Sequence, residues 1–346
     1  MSVRILNALG ILSSEVPIGN LLWVDAVNGV DALATRGRMT IPFRTLAAAK
    51  NAAKGGDTIV VLPETYNENN VAKNGVNWHF FPGAIVDYNG TGTGLFDTTS
   101  GACTFSVTGN GVFKTSNGGA TVPVFNLFNT SDNVVLEFES IDSRGYGIRS
   151  KGTLRARGTE LKSNGNTAVL IEGSSESHLN IGRIHSVTSE AVTVEGSSSA
   201  CLVRLHANYI VSDGFYGLLL RFGTAFVDAF EIRSATDPAV CYDCGYHHPL
   251  HLRVSRIVST GTSVAALAIG AGSDSSGNTN GAVRLYSCFL WSKNGTNSIV
   301  STLGTNKDVL CMTPCITRPV EDQTKITIKV STLTLAVAGS GLPTDL

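Results

Sequence analysis

The sequence is poor in charge and in long hydrophobic runs, and each absence excludes a class of protein. Asp, Glu, Lys and Arg make up 15% of the 346 residues, and the formal net charge is −1. Because no basic run is longer than a residue or two, the electrostatic footprint of a nucleic-acid-binding protein is missing. No stretch approaches the ~20 apolar residues of a membrane span. We therefore expect no nucleic-acid partner and no membrane span.

We expect no secretory signal peptide, because Asn7, Gly10 and Ser13–Ser14 interrupt the apolar positions of residues 1–21. The expected site of synthesis is a reducing cytoplasm, and an extracellular destination would be reached by another route. Seven cysteines, scattered and odd in number, favour buried thiols over a disulfide framework. Residues 1–21 form an N-terminal arm with two interpretations, an extra strand on the fold or a segment that docks on a partner.

The stretch from Leu22 to Asn67 has the most distinct local pattern. Its predicted parts are a strand at Trp23–Asp25, a turn at Asn28–Asp31, a helix at Leu46–Ala53 with Thr45 as N-cap, a stop at Gly55–Gly56 and a strand at Asp57–Pro63. A single short helix followed by strands is suited to covering the open end of a stack of strands, where unpaired backbone groups would invite another chain. We interpret residues 22–57 as a cap.

The order of motifs in this stretch is VD-x-x-NG-x-D, PF-x-T, A-x-x-A, GDTIV and ETY-x-E. It resembles the opening of the right-handed parallel β-helix proteins of the pectate-lyase-like superfamily. The resemblance implies the fold but no single function, because that superfamily includes lyases, hydrolases, epimerases, phage tailspikes and inert adhesins.

The rest of the chain repeats a triplet of an aliphatic residue, a variable residue and a serine. The triplets end at Ser143, Ser163, Ser186, Ser212, Ser234, Ser259 and Ser292, at intervals of 20, 23, 26, 22, 25 and 33 residues. A second strand begins near Ile148, Val169, Val192, Leu218, Val240 and Ala266, and a third contains Leu154, Leu179, Val203, Phe226, Leu252 and Val283. Three strands per unit with Gly- and Ser-rich corners predict a three-sided coil.

The predicted fold is therefore all-β, a single-stranded right-handed parallel β-helix of roughly eleven rungs. Its predicted parts are the arm at 1–21, the cap at 22–57, the β-helix at 58–319 and a C-terminal strand tail at 320–346. In the triplet, alternation places the aliphatic residue inside, the middle residue in solvent and the serine near the corner.

Carboxylates are the first candidates for chemistry. Enzymes of this fold that act on uronate polymers need clustered acidic residues, yet the Asn-Thr-Asp, Asp-Asp, Gly-His-Gly and Arg-Ile-Lys signatures of polygalacturonases are absent. Glu137, Glu139 and Asp142 lie in one strand region, and Glu160 or Glu172 one rung on would complete an acidic groove. The alternative is an ordinary solvated face, so no catalytic residue is assigned.

Two further features are candidates for binding. Cys241, Cys244, His247, His248 and His251 have the residue types and spacing of zinc ligands. Their alternative interpretation is a corner with a buried cysteine and exposed histidines, so neither a metal nor another cofactor is predicted. Trp291 occupies the outward position of its triplet and is a candidate platform for a sugar ring.

Three functional hypotheses follow. The first is a structural or host-attachment subunit of a phage particle, made in the host cytoplasm and located in the virion. Its expected form is a homotrimer that contacts other virion proteins and a host-surface polysaccharide. The second is a polysaccharide lyase or hydrolase, and the third is a self-assembling surface or filament protein.

Overall fold

The computed structural model describes most of the chain between residues 20 and 330. The described residues are 20–88, 90, 92–116, 119, 121–173, 176–196, 201–243, 248–261, 265–269, 283–286 and 288–292, together with the backbone of 299–301, 307–311, 316–317 and 326–330. Within this part of the chain a short strand and one helix precede a long series of further strands.

The chain begins with β1 (Leu21–Val24), α1 (Leu46–Ala52), β2 (Thr58–Val61), β3 (Thr65–Glu68), β4 (Asn77–Phe80), β5 (Ile85–Tyr88), β6 (Phe96–Asp97), β7 (Thr104–Gly109), β8 (Val112–Lys114) and β9 (Phe125–Leu127). It continues with β10 (Asn133–Ser143), β11 (Ile148–Ser150), β12 (Thr153–Ser163), β13 (Val169–Glu172), β14 (Glu176–Ser186), β15 (Val192–Glu195), β16 (Leu202–Ser212), β17 (Leu218–Phe222), β18 (Thr224–Ser234), β19 (Val240–Tyr242) and β20 (Leu250–Ser259). The last strands are β21 (Leu267–Ile269), β22 (Val283–Tyr286), β23 (Phe289–Ser292), β24 (Ile299–Ser301), β25 (Lys307–Cys311), β26 (Ile316–Thr317) and β27 (Ile326–Val330).

These strands coil into a parallel β-helix, which confirms the predicted fold class. In the long sheet β10, β12, β14, β16, β18 and β20 pair in parallel one after another. In the short sheet β6, β9, β11, β13, β15, β17, β19, β21 and β24 do the same. The separate strands β7 and β8 both pair with β10, so one 11-residue strand spans two sides of the coil.

The triplets align as predicted. Ser143, Ser163, Ser186, Ser212, Ser234, Ser259 and Ser292 are register partners from rung to rung, and all are buried. The middle position faces outward in most rungs, but Val258 is buried. In Ser186, Ser212 and Ser234 the hydroxyl accepts from the backbone N–H three residues on and donates to a carbonyl of the preceding rung. The serine therefore ties the corners of successive rungs together.

The third strand contains the predicted residues, but these residues are not all register partners of one another. Leu154 pairs with Ser177, which in turn pairs with Val203, whereas Leu179 pairs with Ala156 and Leu205. A shift of two residues keeps the same face inward, so apolar pattern alone does not distinguish the two registers. Phe226 pairs with outward-facing Arg204 and is itself an outward residue.

The helix α1 has the predicted N-cap. Thr45 Oγ1 accepts a hydrogen bond from Ala48 N at 3.1 Å. At the other end Lys73 Nζ donates to the carbonyls of Lys50 and Ala53, each at 2.7 Å, so a cation satisfies the exposed carbonyl end of the helix. The helix packs on β1, β2 and β3.

The cap, the rung count and the domain boundaries stay predictions. Residues 1–19 of the predicted arm lie outside the described part of the chain. In the predicted tail, Ile326–Val330 pairs in parallel with Lys307–Cys311 and so continues the long sheet.

Among the described cysteines Cys201 and Cys241 are buried thiols, as expected. The described residues contain no helix that is long and apolar enough to span a membrane.

The serine ladder gives a stability prediction. Replacing Ser212 by Ala leaves the N–H of Phe215 and the carbonyl of Ser189 without their hydrogen bonds of 2.8 and 2.6 Å. We expect a loss of about 2 kcal/mol, measured by urea unfolding. The control Ser255→Ala, at an exposed serine of β20, is expected to leave the midpoint unchanged, and equal shifts for both variants would contradict the role of the ladder.

Candidate functional site

A groove crosses the outer face of the long sheet from β10 to β22. Its volume is about 970 Å³. Each strand contributes outward residues two positions apart, because alternate residues of a strand face opposite sides of the sheet. In β16, for example, Val203, Leu205 and Ala207 are buried, whereas Arg204 and His206 face outward.

Register pairing arranges the outward residues in two rows that run along the coil axis. The first row consists of Val135, Arg155, His178, Arg204, Phe226 and His251, and the pairing of β20 with β22 places Arg284 next. The second row consists of Glu137, Arg157, Asn180, His206, Asp228, Arg253 and Tyr286. All of these except Arg284 line the groove.

The groove is the cationic part of a weakly acidic chain. Its lining contains four arginines, three histidines and two carboxylates, which gives a formal charge of +2 with the histidines neutral. The whole chain carries −1. An anionic ligand would therefore meet an attractive potential here, and this attraction would weaken with ionic strength.

Weak ion pairs leave the cations accessible. Asp228 Oδ2 lies 3.7 Å from His206 Nδ1 and 4.0 Å from Arg253 Nη1, which is longer than a hydrogen bond. Beside the first row, Glu176 Oε1 lies 2.8 Å from His178 Nε2 and 3.7 Å from Arg204 Nε. Such exposed pairs contribute little stability, so Arg204 and Arg253 retain donors for a ligand.

At one end of the groove the side chains of Arg204, Phe226 and His251 stack on one another. The Arg204 guanidinium lies 5.1 Å from the Phe226 ring centre, and Phe226 stacks on His251 at 4.3 Å. His251 Nδ1 in turn lies 3.3 Å from Tyr286 Oη. Burial lowers the pKa of His251, and the positive charge of Arg284 lowers it further, so the surroundings favour the neutral imidazole, the form that can accept a proton. Arg284 Nε is buried with no acceptor among the described residues.

The predicted acidic residues separate in the structure. Glu137 lines the groove, whereas Glu139 and Asp142 are exposed on the same strand and do not line it. Of the two residues expected to join them, Glu160 lies 3.9 Å from Arg183, and Glu172 pairs with an arginine of the short sheet. The register partner of Glu137 is Arg157, so a cation rather than a second carboxylate lies next to it in its row.

The predicted metal ligands and sugar platform lie on several elements. Cys244 and His247 are outside the described residues. Cys241 is buried in β19 of the short sheet, whereas His251 lines the groove from β20 of the long sheet. His248 is buried, and its carbonyl accepts from the Tyr242 hydroxyl at 2.7 Å. Among the described residues no three His, Cys, Asp or Glu side chains form a metal-binding group.

Trp291 is half-buried in β23 and is paired with Val258. It is not one of the residues that line the groove, so its role as a sugar platform stays a prediction.

The arginine and histidine rows of the groove were not predicted from the sequence. The signal for them is the pair of polar residues two apart in the third strand of several units, such as Arg155 and Arg157 or Arg204 and His206, which the register of Leu154 with Ser177 brings into line.

Comparison with known proteins adds little. No protein-family model matches the chain, and no curated protein matches it. Among solved structures it is similar to the Azotobacter vinelandii mannuronan C-5 epimerase AlgE6 A-module, with 12% identity, a TM-score of 0.47 and coverage of 84% of this chain and 95% of that chain. At this level the likeness carries no functional argument, and the fold rests on the strand pairing described above.

The environment of His251 gives a titration prediction. Removing the charge of Arg284 by an Arg284→Met substitution should raise the pKa of His251 while leaving it below its ordinary value, because burial remains as the larger cause. The measurement is a histidine titration by NMR, with the signal assigned through His251→Gln. Arg256→Met, outside the groove, is the control and should leave the pKa of His251 unchanged; an Arg284→Met variant with the same result would refute the assignment.

Proposed function

We propose that this protein binds an acidic polysaccharide in the groove across the long sheet. The observation that carries the proposal is the groove itself, in which arginines and histidines from separate rungs line one continuous channel. From β10 to β22 it crosses six strand spacings, ~29 Å. An extended glycan chain parallel to the coil axis would contact each rung in turn.

The residue types suit an anionic sugar. An arginine side chain binds a carboxylate through two parallel hydrogen bonds, and such charge-assisted pairs are among the stronger polar contacts in proteins. Phe226 and Tyr286 add apolar surface for sugar rings, and Asn180 adds a donor and an acceptor for hydroxyl groups. Two carboxylates in the lining and the overall charge of −1 argue against nucleic acid as the ligand.

The spacing of the carboxylates argues against glycoside hydrolysis in this groove. Glu137 and Asp228 are separated by four strand spacings in one row, which is ~19 Å. A pair of catalytic carboxyl groups lies at most ~9.5 Å apart. The hydrolase alternative therefore has no support from the described lining residues.

A lyase reaction is the second candidate, and the contact between His251 and Tyr286 favours it. In such a reaction a base removes the proton from C5 of a uronate, the C4–O bond to the neighbouring sugar breaks, and a C4–C5 double bond forms. The departing oxygen takes a proton from an acid. Neutral His251 and the Tyr286 hydroxyl have suitable chemistry for these two transfers, and Arg253, the register partner of Tyr286, would neutralise the carboxylate.

Attachment to a host glycan remains our proposal for the biological setting. A groove for an acidic polysaccharide is what a host-attachment subunit of a phage particle would need, so the virion location, the homotrimer and the other virion partners stay predictions. Assembly into a surface filament stays one as well. Mass by light scattering would separate a closed trimer from a filament and from a monomer.

The binding proposal predicts the effect of two arginine substitutions. Arg204→Gln and Arg253→Gln should each weaken binding by about tenfold, because each removes charge-assisted hydrogen bonds. The ligand is the tightest-binding member of a panel of polygalacturonate, alginate and hyaluronan, with dextran as the neutral polymer, and calorimetry measures the affinity. The control Arg183→Gln removes an exposed arginine of the same sheet, outside the groove. Failure of the unsubstituted protein to bind any acidic polymer would refute the proposal.

The lyase candidate predicts an unsaturated product. Incubation with uronate polymers should raise the ultraviolet absorbance from C4–C5 unsaturated chain ends. Tyr286→Phe and His251→Gln should abolish this rise without abolishing binding, whereas His206→Gln, farther along the groove, should retain it. A protein that binds a uronate polymer but produces no absorbance would limit the groove to binding.

A further inference from the structure

The charges in and immediately beside the groove alternate in sign from one strand to the next. The acidic strands are β10 with Glu137 and β18 with Asp228, which line the groove, and β14 with Glu176, which lies beside it in contact with the lining residue His178. Between them lie the basic strands β12 with Arg155 and Arg157, β16 with Arg204, and β20 with Arg253. The same sign therefore recurs at every second rung along the axis.

The acidic residues divide the cations into separate positions. Glu176 lies between His178 and Arg204, at 2.8 and 3.7 Å, and Asp228 lies between His206 and Arg253, at 3.7 and 4.0 Å. An anionic group on the ligand would be attracted to β12, β16 and β20 and repelled from β14 and β18. Each strongly attractive position is therefore bounded by unfavourable ones.

The spacing of these positions matches a repeat of two sugars. Neighbouring strands lie ~4.8 Å apart, so basic strands recur every ~9.6 Å. One strand spacing is close to the advance per sugar of an extended 1,4-linked chain, and two spacings are close to the advance of a disaccharide. The acidic strands also present Asn180 and Phe226, which suit the hydroxyl groups and the apolar face of an uncharged sugar.

We infer that the groove selects an acidic polysaccharide with one anionic group per disaccharide, in which a charged sugar alternates with an uncharged one. This inference rests on the proposed function and names its ligand class. A polymer charged on every sugar would place half of its anionic groups against Glu176 and Asp228. Repulsion at these positions would supply the discrimination.

The test compares two polymers of equal length at the same ionic strength. Hyaluronan carries one carboxylate per disaccharide, and polygalacturonate carries one on every sugar. We expect hyaluronan oligomers to bind about tenfold more tightly, with affinity rising per added disaccharide. Calorimetry at physiological salt measures both affinities for the full-length protein.

Variants then test the cause of the selectivity. The double variant Glu176→Gln, Asp228→Asn removes the repulsive charges, and it should bring the two affinities within about threefold by strengthening the binding of polygalacturonate. The control Glu160→Gln removes a carboxylate of the same sheet whose charged partner is Arg183, outside the groove, rather than a lining residue, and it should preserve the preference. Urea unfolding checks that each variant is folded.

The outcomes separate the two proposals. Equal or tighter binding of polygalacturonate by the unsubstituted protein would overturn the disaccharide inference and leave acidic-polysaccharide binding intact. Preference for hyaluronan that survives the double variant would overturn the assignment to Glu176 and Asp228. Absence of binding to every acidic polymer would overturn both the inference and the proposed function.

Discussion

Parallel backbone pairing between successive rungs holds equivalent residues ~4.8 Å apart along the coil. This pairing keeps the same register from β10 to β20 on the long sheet. Inside the coil, stacked aliphatic residues share one core, and each contributes ~1.5–3 kcal/mol only because the rungs above and below cover it. Ser212 and its equivalents link the corners by hydrogen bonds. The other features depend on this register, because a slip of one residue would exchange the inner and outer faces.

The outward residues have a different freedom. Their identity has little effect on the core, so Arg204, Phe226 and His251 can succeed one another in a single row without disturbing the fold. The rigid backbone nevertheless fixes their spacing, and the stack of the three side chains limits their rotamers. A ligand therefore meets groups that are already positioned, which reduces the entropy lost on binding.

The fold was more accessible from the sequence than the site. Recurrence of the serine triplet sets the rung length, and the cap pattern around Thr45 and Gly55–Gly56 sets the helix, so both could be read locally. The third strand has no such marker, and its apolar residues fit two registers that differ by two positions. The groove depends on that register, since Arg155, His178 and Arg204 share a row only when Leu154 is opposite Ser177. The carboxylates predicted as site candidates include Glu139 and Asp142, which are exposed outside the groove.

Stability alone is a weak explanation for the alternating charges. Opposite charges on neighbouring strands are favourable, but pairs as exposed and as long as those of Asp228, at 3.7 and 4.0 Å, contribute about 0–1 kcal/mol each. The same fold also contains an ion pair with a buried carboxylate, since Asp57 is fully buried and accepts hydrogen bonds from Arg36. The exposed carboxylates instead have their largest effect on a third charge that enters the groove, because a ligand displaces water and strengthens every remaining interaction. Alternation on the outer face is thus better suited to sorting anionic chains by charge spacing than to holding the coil together.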